Sequence, residues 1–369
     1  MAKLDKDTVQ KEKAIRYCIS NDVLPFLEVI VNNSREISDI KTVITDLDVL
    51  GIEVSRRGVT RKILFDCKTV AKMSAVNRAF WAAGVMAYTG CDESYVILTK
   101  KATEAHRVSA RSLNVHLFQE QDFHSYAQSA NINYLDLLSY SSNISNWHDF
   151  YSIFEKDNKL SSLGEHINTK LPLEKDSAKS LRELLGAIRA TKGELDPNKL
   201  SHMAIYSSII LSFMLVMAPI CSQISDIYNH DMTQEEYEKI LRYYIWGGRE
   251  SYIQRRNLKN AVLEATGSEK TELELPGWSD FIQASRTFLD APSELREALI
   301  PCREISLRCI SSIDPEFDKL LSLKIKKSNR INQFIITSST YLYKATGMPK
   351  DFHHNILGII ESIEGASTK

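Results

Sequence analysis

The sequence predicts an α/β unit followed by a mainly α-helical one, and three observations carry that prediction. Between Lys41 and Lys68 the apolar residues leave helical spacing for the alternating or continuous pattern of strands. Short apolar runs then alternate with helical segments as far as Phe118. Beyond residue 130 the strand signal fades, and Gly and Pro punctuate segments of helical spacing instead.

Taken in order, residues 8–33 look helical in two pieces, with Asn21 and Asp22 able to cap the second before Pro25. KTVITDLDVLGIEV and RKILFDCK read as two strands joined by a polar turn containing Gly58. An alanine-rich helix over Val70 to Tyr88, a strand over Ser94 to Thr99, a helix over Lys101 to Leu113 and a strand over Val115 to Phe118 complete a mixed sheet covered by helices. Helical spacing returns in 180–190, 203–228, 233–246 and 294–311. With 369 residues the chain suits two domains. They are expected at 1–130 and 131–369, with the boundary somewhere in 128–160.

A composition of 43% hydrophobic and 25% charged residues is that of a globular protein. Cys18, Cys67, Cys91, Cys221, Cys302 and Cys309 include no C-x-x-C pair, which argues against a zinc knuckle or disulfide framework and for reduced thiols in a cytoplasm. The charged N-terminus, MAKLDKDTVQKEK, does not read as a signal peptide. Met203 to Ser225 carries no charged residue and is long enough to span a bilayer. Serines, Tyr206, Pro219 and Gln223 dilute it, so a buried central helix is the expected reading and a membrane anchor the alternative.

The chemistry concentrates in the hairpin. If its turn is centred near Arg57, antiparallel pairing sets Asp48 opposite Asp66, and two carboxylates so close repel unless a cation lies between them. Lys68, two residues after Asp66, falls on the same face of the sheet. Two hard oxygen ligands and one ammonium group suit Mg²⁺, which keeps several waters and is held by one or two carboxylates plus a substrate phosphate. The carbonyl of Cys67 is a candidate further ligand, and Mn²⁺ a candidate substitute. The lysine is then placed to orient or deprotonate a water.

TDLDVLGIEV followed by KILFDCKTV resembles the D…(D/E)xK signature of PD-(D/E)xK, restriction-endonuclease-like nucleases, the Mrr-like group in particular. Asp48 matches the first acid, Asp66 the second and Lys68 the lysine. The helix with Ala79, Phe80, Trp81 and Gly84, and then SYVILTKKATEAHRVSARSLNVHLF, resemble the rest of that domain, so the similarity covers roughly residues 15–125. Asp66 stands where this group more often has Glu, and no proline precedes Asp48. The resemblance implies a restriction-endonuclease-like mixed sheet core with flanking helices, an acid on the first helix for which Glu28 is the best candidate, and an endonuclease acting in prokaryotic defence against foreign DNA.

Between Glu53 and Asp92 seven basic residues face one acid, Asp66. A basic rim around a metal site is what a phosphate-backbone binder needs, and Arg57, Arg61, Lys72 and Arg78 are the expected nucleic-acid contacts, with DNA favoured over RNA. In the second unit Arg249, Arg255, Arg256 and Lys259 interleave with Tyr243, Tyr244, Trp246 and Tyr252, an arrangement read as packing rather than base stacking, and Lys324, Lys326, Lys327 and Arg330 form a second basic group. His353 and His354 have no partner at ligand spacing, which argues against zinc. The expected function is a Mg²⁺-dependent endonuclease whose helical unit recognises a target, meets a second copy or partner protein, or restrains the nuclease. The alternative is a catalytically inactive nuclease-like binding module.

Overall fold

A computed structural model of the chain describes residues 7–33, 40–68, 73–135, 137–229 and 231–366, without the side chain of Lys68. The first unit runs α1 (Thr8–Ser20), β1 (Val23–Asn32), β2 (Val43–Val54), β3 (Thr60–Lys68), α2 (Ala75–Thr89), β4 (Glu93–Leu98), α3 (Glu104–Arg111), β5 (Val115–Gln119) and α4 (Glu120–Ala130). The second runs α5 (Ile144–Lys156), α6 (Ser161–Glu165), α7 (Leu171–Leu173), α8 (Ser177–Thr191), α9 (Leu200–Ser225), α10 (Gln234–Ile245), α11 (Arg249–Ala265), α12 (Trp278–Leu289), α13 (Pro292–Leu295), α14 (Leu299–Arg308), α15 (Pro315–Lys326), α16 (Asn329–Thr346) and α17 (Asp351–Ala366).

The sheet order is β1-β2-β3-β4-β5. The hairpin pairs β1, β2 and β3 antiparallel, while α2 and α3 are the crossovers that make β3, β4 and β5 parallel. Helices cover both faces of the central strands, which is why β2 and β3 read as apolar runs rather than strict alternation. On one face Tyr17 of α1 and Phe123 and Tyr126 of α4 meet Phe65 and Tyr95 of the sheet, with ring centroids 5.3 to 6.5 Å apart. From the other side α2 sends Arg78 to Asp66.

Residues 23–32 correct the expectation of a second helical piece: they form β1, an edge strand. VLPFLEVIV places apolar residues on both faces, so helical and strand spacing fit it equally, and tertiary pairing decides. Pro25 is tolerated because β1 pairs with β2 alone.

The β2–β3 turn packs against α9 through Gly58, which is buried while its neighbours Arg57 and Val59 are exposed. Gly58 donates its N–H to the Ser55 carbonyl at 2.9 Å and adopts φ +78°, and a Cβ on it would lie 2.5 Å from the Ala218 carbonyl oxygen of α9. Gly58→Ala should therefore combine left-handed strain with a backbone clash and lower stability by about 2–4 kcal/mol, read by urea unfolding.

The charge-free segment is α9, and 94% of its most apolar stretch is buried inside the protein. It is the core helix of the second unit: Ser306 Oγ of α14 donates to the Ala204 carbonyl at 2.8 Å, and Tyr206 OH lies 2.9 Å from Ser339 Oγ of α16. Buried apolar residues form one cluster from Ala14 to Ile363, so the hydrophobic core does not break at residue 130. All six cysteines are free and buried. Tyr243 packs 5.4 Å from Tyr252, whose hydroxyl donates to Glu272, and Arg256 pairs with the same glutamate, so the aromatic and basic residues of this region pack together as expected.

Candidate active site

β2 and β3 pair from Val54↔Thr60 down to Val49↔Phe65, which is the register expected from a turn centred near Arg57. Asp48 and Asp66 occupy the next step. There the backbone ladder gives way to a side chain: Asp48 Oδ2 accepts the Cys67 N–H at 2.7 Å. Both carboxylates are buried, Asp48 at 4% and Asp66 at 2% exposure. Buried carboxylates require nearby positive charge or hydrogen bonds, and each has them.

Asp66 is held by Arg78. Ser74 caps the start of α2, its hydroxyl accepting the Asn77 N–H, and this sets Arg78 one turn into the helix above the end of β3. Its Nε and Nη2 donate to the two carboxylate oxygens of Asp66, a bidentate pair, and its guanidinium lies 3.8 Å from the centre of the Trp81 ring. Arg78 is expected as a nucleic-acid contact, and in this structure it is an ion-pair partner of the candidate ligand.

Asp48 meets a different cation. Lys11 of α1, buried at 4%, brings Nζ to 2.7 Å from Glu28 Oε1 and 4.0 Å from Asp48 Oδ1. Glu28 lies on β1, not on a helix, between the pairs Leu27↔Val49 and Val29↔Leu47, which sets it across from Asp48. Its φ of +51° is a left-handed conformation in the middle of a strand and costs roughly 1–3 kcal/mol for a non-glycine residue. Such strain persists only where the surroundings fix it. Here α5 supplies the fixing: Tyr151 OH donates to the Leu27 carbonyl at 2.7 Å, and His148 Nε2 lies 3.6 Å from Glu28 Oε2. Burial raises the Tyr151 pKa above its ordinary value. Beneath it, Arg303 of α14 is sandwiched 4.9 Å from both the Phe26 and Trp147 rings, with burial pulling its guanidinium down to about 10.

Lys11, His148 and Tyr151 escape a motif reading because they come from α1 and α5, distant in sequence from the hairpin. The local sign of Lys11 is a lysine in the first turn of a helix that must bury one face. The remaining expected contacts lie elsewhere. Arg57 is exposed in the turn, 3.6 Å from Asp226, roughly 30 Å along the strand from Asp66. Arg61, roughly 16 Å away by the same measure, is paired with Glu53 and Glu93. Neither borders the acid pair, because the turn sits at the opposite end of the hairpin from residues 48 and 66. Lys72 and the side chain of Lys68 lie outside the described residues; the Lys68 backbone closes β3 opposite Leu98 of β4.

Among the described residues no three His, Cys, Asp or Glu side chains gather in a metal cluster. Asp48, Asp66 and the Cys67 carbonyl are hard oxygens, the donor type that Mg²⁺ or Mn²⁺ takes together with several waters. The present partners of these acids, an ammonium and a guanidinium, mark the same requirement for positive charge. Comparison with protein-family models, with curated proteins and with solved structures finds no match to this chain.

Proposed function

We propose that the chain is a Mg²⁺-dependent endonuclease that hydrolyses phosphodiester bonds, those of DNA first, in defence against foreign DNA, with Mn²⁺ able to substitute. The observation that carries this reading is the pair of buried carboxylates at the step where β2 and β3 part, with the strained Glu28 across from Asp48. The run β2, β3, α2, β4, α3, β5 supports a restriction-endonuclease-like core, since a hairpin followed by a helix, a strand, a helix and a strand is the order the resemblance implies, and β1 is added to it.

Asp48, Asp66 and the Cys67 carbonyl would hold the ion, which when bound supplies a polarised water and charge neutralisation at the phosphate. Asp48, fixed by the Cys67 N–H, keeps its second oxygen toward Lys11. Glu28 shares Lys11 with it, so the ammonium holds two acids in register without joining the reaction. Lys68 would orient the attacking water or take its proton.

Lys68→Ala is expected to abolish cleavage of supercoiled DNA while leaving DNA affinity within a few-fold, since its role lies in the transition state. Cleavage at the normal rate would remove the lysine from the chemistry. A second reading, an inactive nuclease-like binding module, is favoured by one observation: Arg78 already engages both Asp66 oxygens, as in a structural ion pair. That module would lose no cellular activity on Asp66→Asn.

A further inference from the structure

Among the described residues the Asp66 carboxylate is held by Arg78, and the proposed chemistry needs it for an ion. Both its oxygens accept from Arg78, and the pair is almost dry, with the side chains 2% and 13% exposed. A divalent ion on the same carboxylate would sit within a few ångströms of the guanidinium, where two cations repel strongly in a poorly solvated site. The ion and Arg78 therefore compete for Asp66. Arg78 has a supported place to go: its guanidinium already stacks on Trp81, which is half-buried, one helical turn further along α2. A planar guanidinium swinging on that ring is matched to a bidentate phosphate, and in the proposed reaction the phosphate lies next to the ion.

We propose that Arg78 is a two-position clamp: without metal it neutralises Asp66, and when a divalent ion takes Asp66 it moves across Trp81 to the non-bridging oxygens of the substrate phosphodiester. This rests on the metal-dependent nuclease reading. No covalent change is involved, only an exchange of ionic partners. Ion and DNA must then bind with positive cooperativity, because the ion releases the arginine that the phosphate receives. The exposed Arg57 and the doubly paired Arg61 have no such coupling to Asp66.

The test is a Mn²⁺ titration of the full chain by calorimetry and tryptophan emission, with wild type, Arg78→Ala, Arg78→Lys, Trp81→Phe and Asp66→Asn. The expected result is an emission change on metal binding that Trp81→Phe lacks, and Mn²⁺ binding about tenfold tighter in Arg78→Ala because the competitor is gone. Arg78→Lys, which keeps the charge and the fold, should fall between. Equal affinity in wild type and both Arg78 variants, with binding lost in Asp66→Asn, would overturn the clamp and leave the metal site standing. Binding unaffected by Asp66→Asn, or absent throughout, would remove the metal reading and the clamp with it. Binding of duplex DNA in Ca²⁺ and in EDTA tests the second position: Ca²⁺ should steepen the salt dependence of the wild type by about one unit more than that of Arg78→Ala. Equal steepening would overturn the phosphate contact.

Discussion

Asp66→Asn is expected to lower cleavage of supercoiled DNA by about 10³-fold or more, since it removes a charge that the proposed chemistry places beside the reacting phosphate. The substitution keeps the size of the side chain, so the strand itself is not disturbed. It also leaves Arg78 with no countercharge in a site where its side chain is 13% exposed. A secondary loss of up to about 3–5 kcal/mol in stability follows, because breaking one side of a buried pair strands the other. Activity and urea unfolding measured on the same preparation separate the two effects. A folded Asp66→Asn protein that cuts at the wild-type rate would exclude Asp66 from the reaction.

The second large effect lies at the junction of the two units. Glu304 of α14 is buried and gathers the turn that follows the first unit: Oε1 accepts from the Ser139 hydroxyl at 2.7 Å and from the Ser141 N–H and hydroxyl, and Oε2 accepts from the Tyr140 N–H at 2.7 Å. Tyr140 continues the network, its hydroxyl donating to Asp318, which is held by Arg308 through two 2.7 Å bonds. Glu304→Ala deserts four donors in the interior at once and should cost about 3–5 kcal/mol. The unfolding midpoint in urea would show it. A change under about 0.5 kcal/mol, the level of an ordinary surface substitution, would mean that this network does not hold the junction.

The hairpin was legible because its information is local. Strand period, the Gly58 turn and the numbering of Asp48 and Asp66 together determine the register, and the observed pairs follow it. The alternation of helices and strands to Gln119 was legible for the same reason. β1 was not, since nine apolar-rich residues with a proline fit a helix or an edge strand, and only pairing with β2 distinguishes them. That error carried Glu28 with it: placed on a helix it is an accessory acid, placed on β1 it is a strained residue facing Asp48. Arg57 and Arg61 stand away from the acids for a geometric reason. Both are near Asp66 in sequence, yet antiparallel strands carry the turn away from the acids at about 3.3 Å per residue. Arg78 was selected as a cation, but the identity of its partner depends on how α2 lies over β3, which no local pattern encodes.

Asp48 and Asp66 are proposed to form a metal-dependent phosphodiesterase site. Incubating the purified chain with supercoiled DNA, linear DNA, single-stranded DNA and RNA, in Mg²⁺, in Mn²⁺ and in EDTA, tests it most directly. Nicking or linearisation of supercoiled DNA is expected in either metal, none in EDTA, and none by Asp66→Asn. Cleavage that persists in EDTA, or no cleavage of any of the four substrates in either metal, would contradict it.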